Sequence, residues 1–108
     1  MEYIGKLIYD KVLLKEDIKL VICGNGKMGK ILFALLESID KLEKVDCICD
    51  TNEKLWGTLY NGVQIVSPKE AVNEKKDCHF LTVGKYAEEQ ILFLHKNGIK
   101  NIHMFLEL

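Results

Sequence analysis

A glycine-rich loop stands between an apolar run and a long amphipathic segment, and this junction constrains the fold of the 108-residue chain more than any other feature. Residues 19–23 are nearly all apolar, as expected of a central strand that is covered on both faces. Gly24, Gly26 and Gly29 follow in the spacing G-x-G-x-x-G. Apolar residues then recur at three- and four-residue steps over 27–42, which indicates a helix. The order of strand, glycine loop and helix predicts the first βα unit of a parallel sheet.

Strand-like and helix-like segments alternate along the rest of the chain, which is the pattern of repeated βαβ units. Further strands are predicted at residues 45–50, 63–66, 77–83 and 101–106. Further helices are predicted from Ser67 to 73–75 and over 86–97. The expected fold is therefore α/β: a three-layer Rossmann-like domain, residues 17–108, with a parallel five-stranded sheet of order 3-2-1-4-5. Residues 1–16 are predicted to form an amphipathic helical extension before it.

Turn residues support these boundaries. Asn61-Gly62 predicts a tight hairpin turn, because both positions of such a turn need positive φ. Ser67 followed by Pro68 predicts a capped helix start. Gly98 stands where a left-handed residue ends a helix. The hairpin should bring a short ribbon at 58–60 into the third strand.

Composition excludes several partners. Acidic and basic residues nearly cancel to a net charge of −1, and no run of five or six like charges occurs, so a nucleic acid is not expected as a partner. No apolar stretch reaches membrane-spanning length and the N-terminus does not resemble a signal peptide, so a cytoplasmic protein without membrane contact is expected. The four cysteines fall in predicted strands and suit buried thiols better than disulfides or a metal site.

The glycine loop is the strongest candidate for a ligand site. Gly24 allows the tight turn, Gly26 lets a phosphate approach the backbone, and Gly29 lets helix and strand pack closely. The free N–H groups and the positive end of the helix favour an anion, and the lysine side chains nearby add positive charge. The predicted loop contacts are Gly24, Asn25, Gly26, Lys27, Met28 and Gly29.

Asp50 completes a dinucleotide fingerprint. It lies twenty-one residues beyond Gly29 at the end of the second predicted strand, where a carboxylate can accept both hydroxyl hydrogens of a ribose. It could also simply begin a turn. An acid at this position disfavours a 2′-phosphate, so an NAD-like ligand is preferred to an NADP-like one. The turn residues Thr51 and Asn52 belong to the same candidate site.

The far side of the crevice is expected at the end of the fourth predicted strand, where the winding of the sheet reverses. Thr82, Gly84 and Lys85 lie there, and the lysine could meet a phosphate or remain in solvent. Trp56, after Asp50, could stack on a base or pack on the hairpin. No catalytic residue is predicted, because His79, His95 and His103 all lie away from this edge. Whether the chain is an enzyme stays open, and a binding domain of an enzyme, or a partner to one, is favoured.

The chain from 19 to 105 resembles Rossmann-like domains of bacterial glycan biosynthesis. The residues that carry the resemblance lie at 21–29, 49–57, 61–68 and 98–100. They resemble the N-terminal domains of hexapeptide-repeat sugar acetyltransferases and of membrane-linked sugar-nucleotide dehydratases. The first family implies a UDP-sugar bound by Gly24, Gly26 and Asp50. The β-helix of that family, and the Tyr-x-x-x-Lys pair of the dehydratases, are absent from the chain. The same layout is similar to redox-sensing repressors, whose winged helix is absent, and to CoA-binding domains.

Three functions follow from this. The first is a domain that binds a nucleotide or nucleotide sugar, NAD or a UDP-sugar without a metal, in bacterial surface-glycan biosynthesis. The second is an NAD-binding, redox-sensing regulatory domain, and the third is a fragment of a small NAD-dependent sugar oxidoreductase or epimerase. The apolar C-terminus favours a homodimer or a missing C-terminal domain.

Overall fold

A six-stranded sheet forms the centre of the domain in the computed structural model, which describes residues 17–105. The strands are β1 (Leu20–Cys23), β2 (Val45–Cys49), β3 (Leu59–Tyr60), β4 (Val63–Val66), β5 (His79–Val83) and β6 (Ile102–Phe105). The helices are α1 (Lys27–Ser38), α2 (Pro68–Glu74) and α3 (Ala87–Lys96). The predicted extension at 1–16 lies outside the described residues.

The sheet has the order β3-β4-β2-β1-β5-β6 and is mixed rather than wholly parallel. The parallel strands β4, β2, β1, β5 and β6 keep the predicted order, but β3 is an additional strand that pairs antiparallel with β4. The prediction of five parallel strands is therefore corrected to six strands. Asn61 and Gly62 have φ values of 47° and 87°, and this hairpin turn folds β3 back onto β4 as an outer strand.

The two faces of the sheet are covered by different helices, which gives the predicted three layers. On one face, Leu32 and Phe33 of α1 pack on Ile22 in a buried cluster. On the other face, Val72 of α2 and Leu94 of α3 belong to a second cluster. Because α1 follows β1 whereas α3 follows β5, the chain leaves these neighbouring strands on opposite faces. None of the helices within residues 17–105 has the length and apolar character that crossing a membrane requires.

Helix α1 ends at Ser38, earlier than the predicted end at 42. Asp40 has a φ of 58°, a left-handed conformation that a helix interior cannot hold. A separate 3-10 turn, Leu42–Lys44, then leads into β2. Ile39 and Leu42 nevertheless pack against the core, so the apolar periodicity continues past the end of the helix that it predicts.

The predicted start of α2 and the predicted C-terminal cap of α3 are confirmed. Ser67 Oγ accepts a hydrogen bond of 3.1 Å from the backbone N–H of Glu70 at the start of α2. Gly98 has a φ of 81° after α3. The N–H of Ile99 donates to the carbonyl of Leu94 at 3.0 Å, and both side chains are buried in the same cluster. This cap directs the chain from α3 toward β6.

All four cysteines are free thiols, as predicted. Cys23, Cys47 and Cys49 are buried strand residues. Cys78 departs from the prediction, because β5 begins at His79, two residues later than the predicted start at 77, and leaves this thiol half-buried in the preceding bend.

Candidate functional site

A cavity of about 1080 Å³ opens at the carboxyl ends of the parallel strands. It lies where β1 and β5, which are paired neighbours, send their following helices to opposite faces. Ligand crevices of open α/β sheets form at this reversal of winding. Four stretches line the cavity: the end of β1 with the glycine loop, the end of β2, Pro68 at the start of α2, and the stretch from Val83 to Leu94.

The three glycines of the loop have different reasons to be glycine. Gly24 has a φ of 108°, and its N–H donates to the carbonyl of Cys49 at 2.7 Å. A Cβ on Gly29 would collide with the carbonyl oxygen of Gly24, so the approach of α1 to β1 requires a glycine there. Gly26 has a φ of −84°, and a Cβ added to it would meet nothing within 4 Å. The fold therefore needs Gly24 and Gly29, whereas the open space at Gly26 faces the cavity that it lines.

The first turn of α1 is open to an anion. No side chain caps the helix at Gly26, and no acidic residue lies in its first turn. Lys27 and Met28 line the cavity. Lys30 points elsewhere, since its Nζ stands 5.7 Å from the centre of the Tyr60 ring. Of the two lysines close to the glycine loop in the sequence, Lys27 and Lys30, only Lys27 lines the cavity.

Asp50 connects the glycine loop to the end of β2. Its Oδ2 accepts from the backbone N–H of Asn25 at 2.7 Å, and its Oδ1 accepts from the N–H of Asn52 at 2.7 Å. Each carboxylate oxygen keeps a further lone pair. Asp50 and Thr51 line the cavity, so the carboxylate can hold the loop and still accept hydrogen bonds from a ligand. The side chain of Asn52 instead caps a 3-10 turn by accepting from the N–H of Lys54.

Trp56 is hydrogen-bonded to the backbone of Asp50. Its Nε1 donates to the carbonyl oxygen of Asp50 at 2.6 Å, and 42% of the residue is exposed. The indole is therefore fixed next to the candidate ribose-binding position while it stays accessible to solvent.

The predicted residues at the end of β5 and just after it are divided between the cavity and the interior. Gly84 and Lys85 line the cavity, and a Cβ on Gly84 would approach Met28 Cγ to 3.3 Å. Thr82 does not line it: the side chain is fully buried and its Oγ1 donates to the carbonyl of His103 at 3.0 Å. The strand ends at Val83 as predicted, and the cavity wall begins with Val83 rather than with Thr82.

One face of α3 forms a cavity wall that the sequence analysis did not identify. Glu89, Gln90 and Phe93 of α3 line the cavity together with Tyr86, the residue just before the helix. Tyr86 and Phe93 are 57% and 39% exposed, which is high for aromatic residues. Their separation by seven residues, with Gln90 between them, places them along one side of a helix. This seven-residue spacing could have indicated the cavity wall, but the apolar periodicity of the neighbouring core residues was used only to predict the helix.

Two cysteines form the floor of the cavity. Cys23 and Cys49 are register partners on β1 and β2, and both line the cavity. A hydrogen bond with Cys49 and burial raise the pKa of the Cys23 thiol well above its usual value. Burial raises the pKa of the neighbouring Cys47 to about 12. The thiols of Cys23 and Cys47 therefore stay protonated at neutral pH and are poor nucleophiles.

The histidines do not join this site. His79 Nδ1 and His103 Nε2 are 2.8 Å apart, and their rings are stacked with centroids 5.1 Å apart on β5 and β6. His95 is exposed in the last turn of α3. None of the three lines the cavity. Across residues 17–105, no group of three or more histidine, cysteine or acidic side chains is arranged to hold a metal ion.

Comparison with solved structures identifies the fold. The structure of RSP, a Rex-family repressor, matches with a TM-score of 0.64 and 21% identity over 99% of this chain and 54% of that chain. RSP in complex with β-NADH matches with a TM-score of 0.63 and 18% identity over the same shares. RSP in complex with β-NAD⁺ and operator DNA matches with a TM-score of 0.57 and 15% identity over 92% of this chain and 56% of that chain.

These likenesses show a Rossmann-like fold, and the chain spans about half the length of the RSP chains that it matches. No protein-family model and no curated protein matches the chain. The resemblance to sugar acetyltransferases and dehydratases is not confirmed, and glycan biosynthesis is without support.

The expectation that a nucleic acid is not a partner is corrected by the same comparison. One of the matching RSP structures contains operator DNA together with β-NAD⁺. The net charge of −1 describes only these 108 residues. In a chain of about twice this length, a basic DNA-binding surface can lie outside the matched part, so a balanced charge in one domain does not exclude DNA as a partner of the protein.

Proposed function

We propose that the cavity binds an NAD-type dinucleotide and that the domain is the NAD(H)-responsive part of a regulatory protein. One observation carries the proposal. A single cavity of about 1080 Å³ joins the glycine loop and Asp50 on one side to the wall of α3 on the other. Pockets for small ligands range roughly from 300 to 1,000 Å³, so this cavity has room for both halves of a dinucleotide.

The adenosine half is assigned to the side of β2. The first turn of α1 and the open space at Gly26 receive the pyrophosphate. Asp50, already oriented by the N–H groups of Asn25 and Asn52, accepts the ribose hydroxyls with its remaining lone pairs. Its negative charge disfavours the 2′-phosphate of NADP.

The nicotinamide half is assigned to the side of β5. Gly84 turns the chain away from β5 with a φ of 71°, and Tyr86, Gln90 and Phe93 form the wall beyond it. Exposed aromatic rings and a neutral amide suit a planar, uncharged dihydronicotinamide. The structure of RSP in complex with β-NADH supports the choice of ligand.

A regulatory role is proposed over catalysis because of the chemistry at the cavity. The histidines that could exchange protons lie elsewhere, and the Cys23 thiol is held protonated. RSP is a repressor, and its complex with operator DNA supports placing this domain in a protein that regulates transcription. In such a protein, the state of the nicotinamide would change how this domain packs against the rest of the assembly.

A thermal-shift panel tests the proposal. Purified protein is heated with NADH, NAD⁺, NADP⁺, UDP-N-acetylglucosamine, CoA or ATP, because a ligand of the folded state raises Tm by mass action. NADH and NAD⁺ should raise Tm most, and NADP⁺ should raise it less. The Gly26→Val variant is the matched control, since its Cβ enters open space and the substitution should remove the shift without lowering Tm itself.

A shift with UDP-N-acetylglucosamine alone would contradict the proposal and restore the nucleotide-sugar alternative. No shift with any compound, in protein that unfolds cooperatively, would contradict ligand binding at this cavity altogether.

A further inference from the structure

The side-chain amide of Gln90 connects the two strands that separate at the cavity. Its Oε1 accepts from the N–H of Val83 on β5 at 3.1 Å. Its Nε2 donates to the carbonyl of Cys23 on β1 at 3.2 Å. Gln90 thus lies at the point where the sheet opens, 67 residues along the chain from Cys23.

The opening of the sheet explains why these backbone groups bond to a side chain. Beyond Cys23 the chain turns toward β2, where the N–H of Gly24 bonds to Cys49. Val83, by contrast, has its register partner on β6. The two strands therefore stop pairing with each other here, and Gln90 supplies hydrogen-bond partners for both. An unpaired buried backbone group would cost free energy.

These two bonds fix the amide in one orientation. A backbone N–H can only donate and a carbonyl can only accept, so the oxygen must face Val83 and the nitrogen must face Cys23. A primary amide has two N–H groups and two acceptor lone pairs. One N–H and one lone pair of Gln90 therefore stay available at a residue that lines the cavity.

We propose that Gln90 recognises the carboxamide of the nicotinamide half, through this remaining N–H donor and acceptor lone pair. The inference rests on the proposed binding of an NAD-type dinucleotide. A carboxamide carries a donor and an acceptor side by side, which is the complement of what Gln90 offers. Gln90 is thereby a specificity-determining residue of the cavity.

Other polar groups on the same rim are less suited to this task. Lys85 and Glu89 carry charges, and Lys85 Nζ lies 5.2 Å from the centre of the Tyr86 ring. A neutral carboxamide gains little from a charged partner of either sign. Gln90 is held by backbone groups before the ligand arrives, so its side chain has little freedom left to lose on binding.

The experiment compares three ligands by isothermal titration calorimetry: NAD⁺, its 3-acetylpyridine analogue, and ADP-ribose. The analogue keeps the carbonyl but lacks the amide N–H groups, and ADP-ribose lacks the whole ring. They are titrated into the wild-type chain, Gln90→Met and Gln64→Met. Gln64 is the matched control, because it is an exposed glutamine on β4 that does not line the cavity.

Wild-type protein and Gln64→Met should bind NAD⁺ about fivefold to tenfold more tightly than the analogue, as the loss of one hydrogen bond predicts, because the analogue keeps the carbonyl. In Gln90→Met that preference should fall to within about twofold, while ADP-ribose affinity stays within about twofold of wild type. Equal affinities of wild type for NAD⁺ and the analogue overturn the inference, and this arm needs no folded variant. A parallel loss of NAD⁺ and ADP-ribose binding in Gln90→Met also overturns it.

Failure of the proposed function gives a different result. If wild-type protein binds neither NAD⁺ nor ADP-ribose, the dinucleotide site itself is wrong. If it binds both and the preference is missing, only the role of Gln90 is wrong.

Discussion

The carboxylate of Asp50 holds the backbone of Asn25 by a hydrogen bond of 2.7 Å, although the two residues lie 25 positions apart in the chain. The bond joins the end of β2 to the glycine loop, so the residue proposed to bind the ribose also shapes the loop proposed to bind the phosphates. Ligand contact and loop geometry are coupled at this single side chain.

Asp50→Asn should therefore change both affinity and selectivity. The amide presents an N–H₂ group to one of the two N–H donors that the carboxylate now accepts, and it removes the charge that repels a 2′-phosphate. We expect NAD⁺ binding to weaken about tenfold, as the loss of a charge-assisted hydrogen bond predicts. The ratio of NAD⁺ to NADP⁺ affinity should narrow. Calorimetric titration of both cofactors measures this, and an unchanged ratio would show that Asp50 does not face the ribose.

Substitutions at Gly29 and Gly26 should affect stability and ligand binding separately. Gly29→Ala places a Cβ against the carbonyl oxygen of Gly24, and overpacking of this kind costs about 1 to 3 kcal/mol of stability. Gly26→Ala meets no atom within 4 Å and should unfold like the wild type while it binds NAD⁺ more weakly. Urea denaturation and titration of both variants measure the two effects. Equal stability of the two variants would contradict the steric assignment.

Trp56 should report the occupancy of the cavity. It is the single tryptophan of the chain, and its indole donates to the carbonyl of Asp50. A ligand at Asp50 changes the surroundings of this partly exposed ring, so NAD⁺ should alter its fluorescence along a saturable curve. The same curve should be absent in Gly26→Val. If the emission of wild type follows only the absorbance of the added cofactor, the proposed position of the ribose is wrong.

Alkaline pH should destabilise the domain through its buried thiols. Burial raises the pKa of Cys47 from 9.0 to about 12, so the folded state holds this proton more tightly than the unfolded state does. The stabilisation is complete below pH 9 and is lost as the pH rises toward 12. We expect the free energy of unfolding to fall over this window, and to fall less in Cys47→Ala. Parallel pH dependence in the two proteins would contradict the assignment to Cys47.

Local sequence signals predicted one side of the site, the side formed by the glycine loop and Asp50. The positions of Gly24, Gly29 and Asp50 follow from turn geometry and strand ends, which depend on neighbouring residues. The opposite side, formed by α3, depends on how this helix packs on the sheet. Gln90 reaches a carbonyl 67 positions away, and no spacing along the chain encodes that contact. Thr82 was misplaced for a related reason: the end of β5 at Val83 was predicted, but the hydrogen bond from Thr82 Oγ1 to the carbonyl of His103, 21 positions away, is not encoded by any local spacing.

The partner prediction was wrong because net charge is a property of the residues counted. A balanced composition over 108 residues describes the surface of this domain and no other. The prediction was overturned by the structure of RSP with operator DNA, of which this chain covers about half.

The short outer strand β3 has a consequence for association. Outer strands expose backbone N–H and C=O groups that can template the addition of foreign strands. Leu59–Tyr60 gives an incoming chain only two residues to pair with, whereas Ile102–Phe105 at the opposite margin gives four. Among residues 17–105, β3 is thus the poorer template for an added strand, and β6 is the margin of the sheet with more backbone to offer.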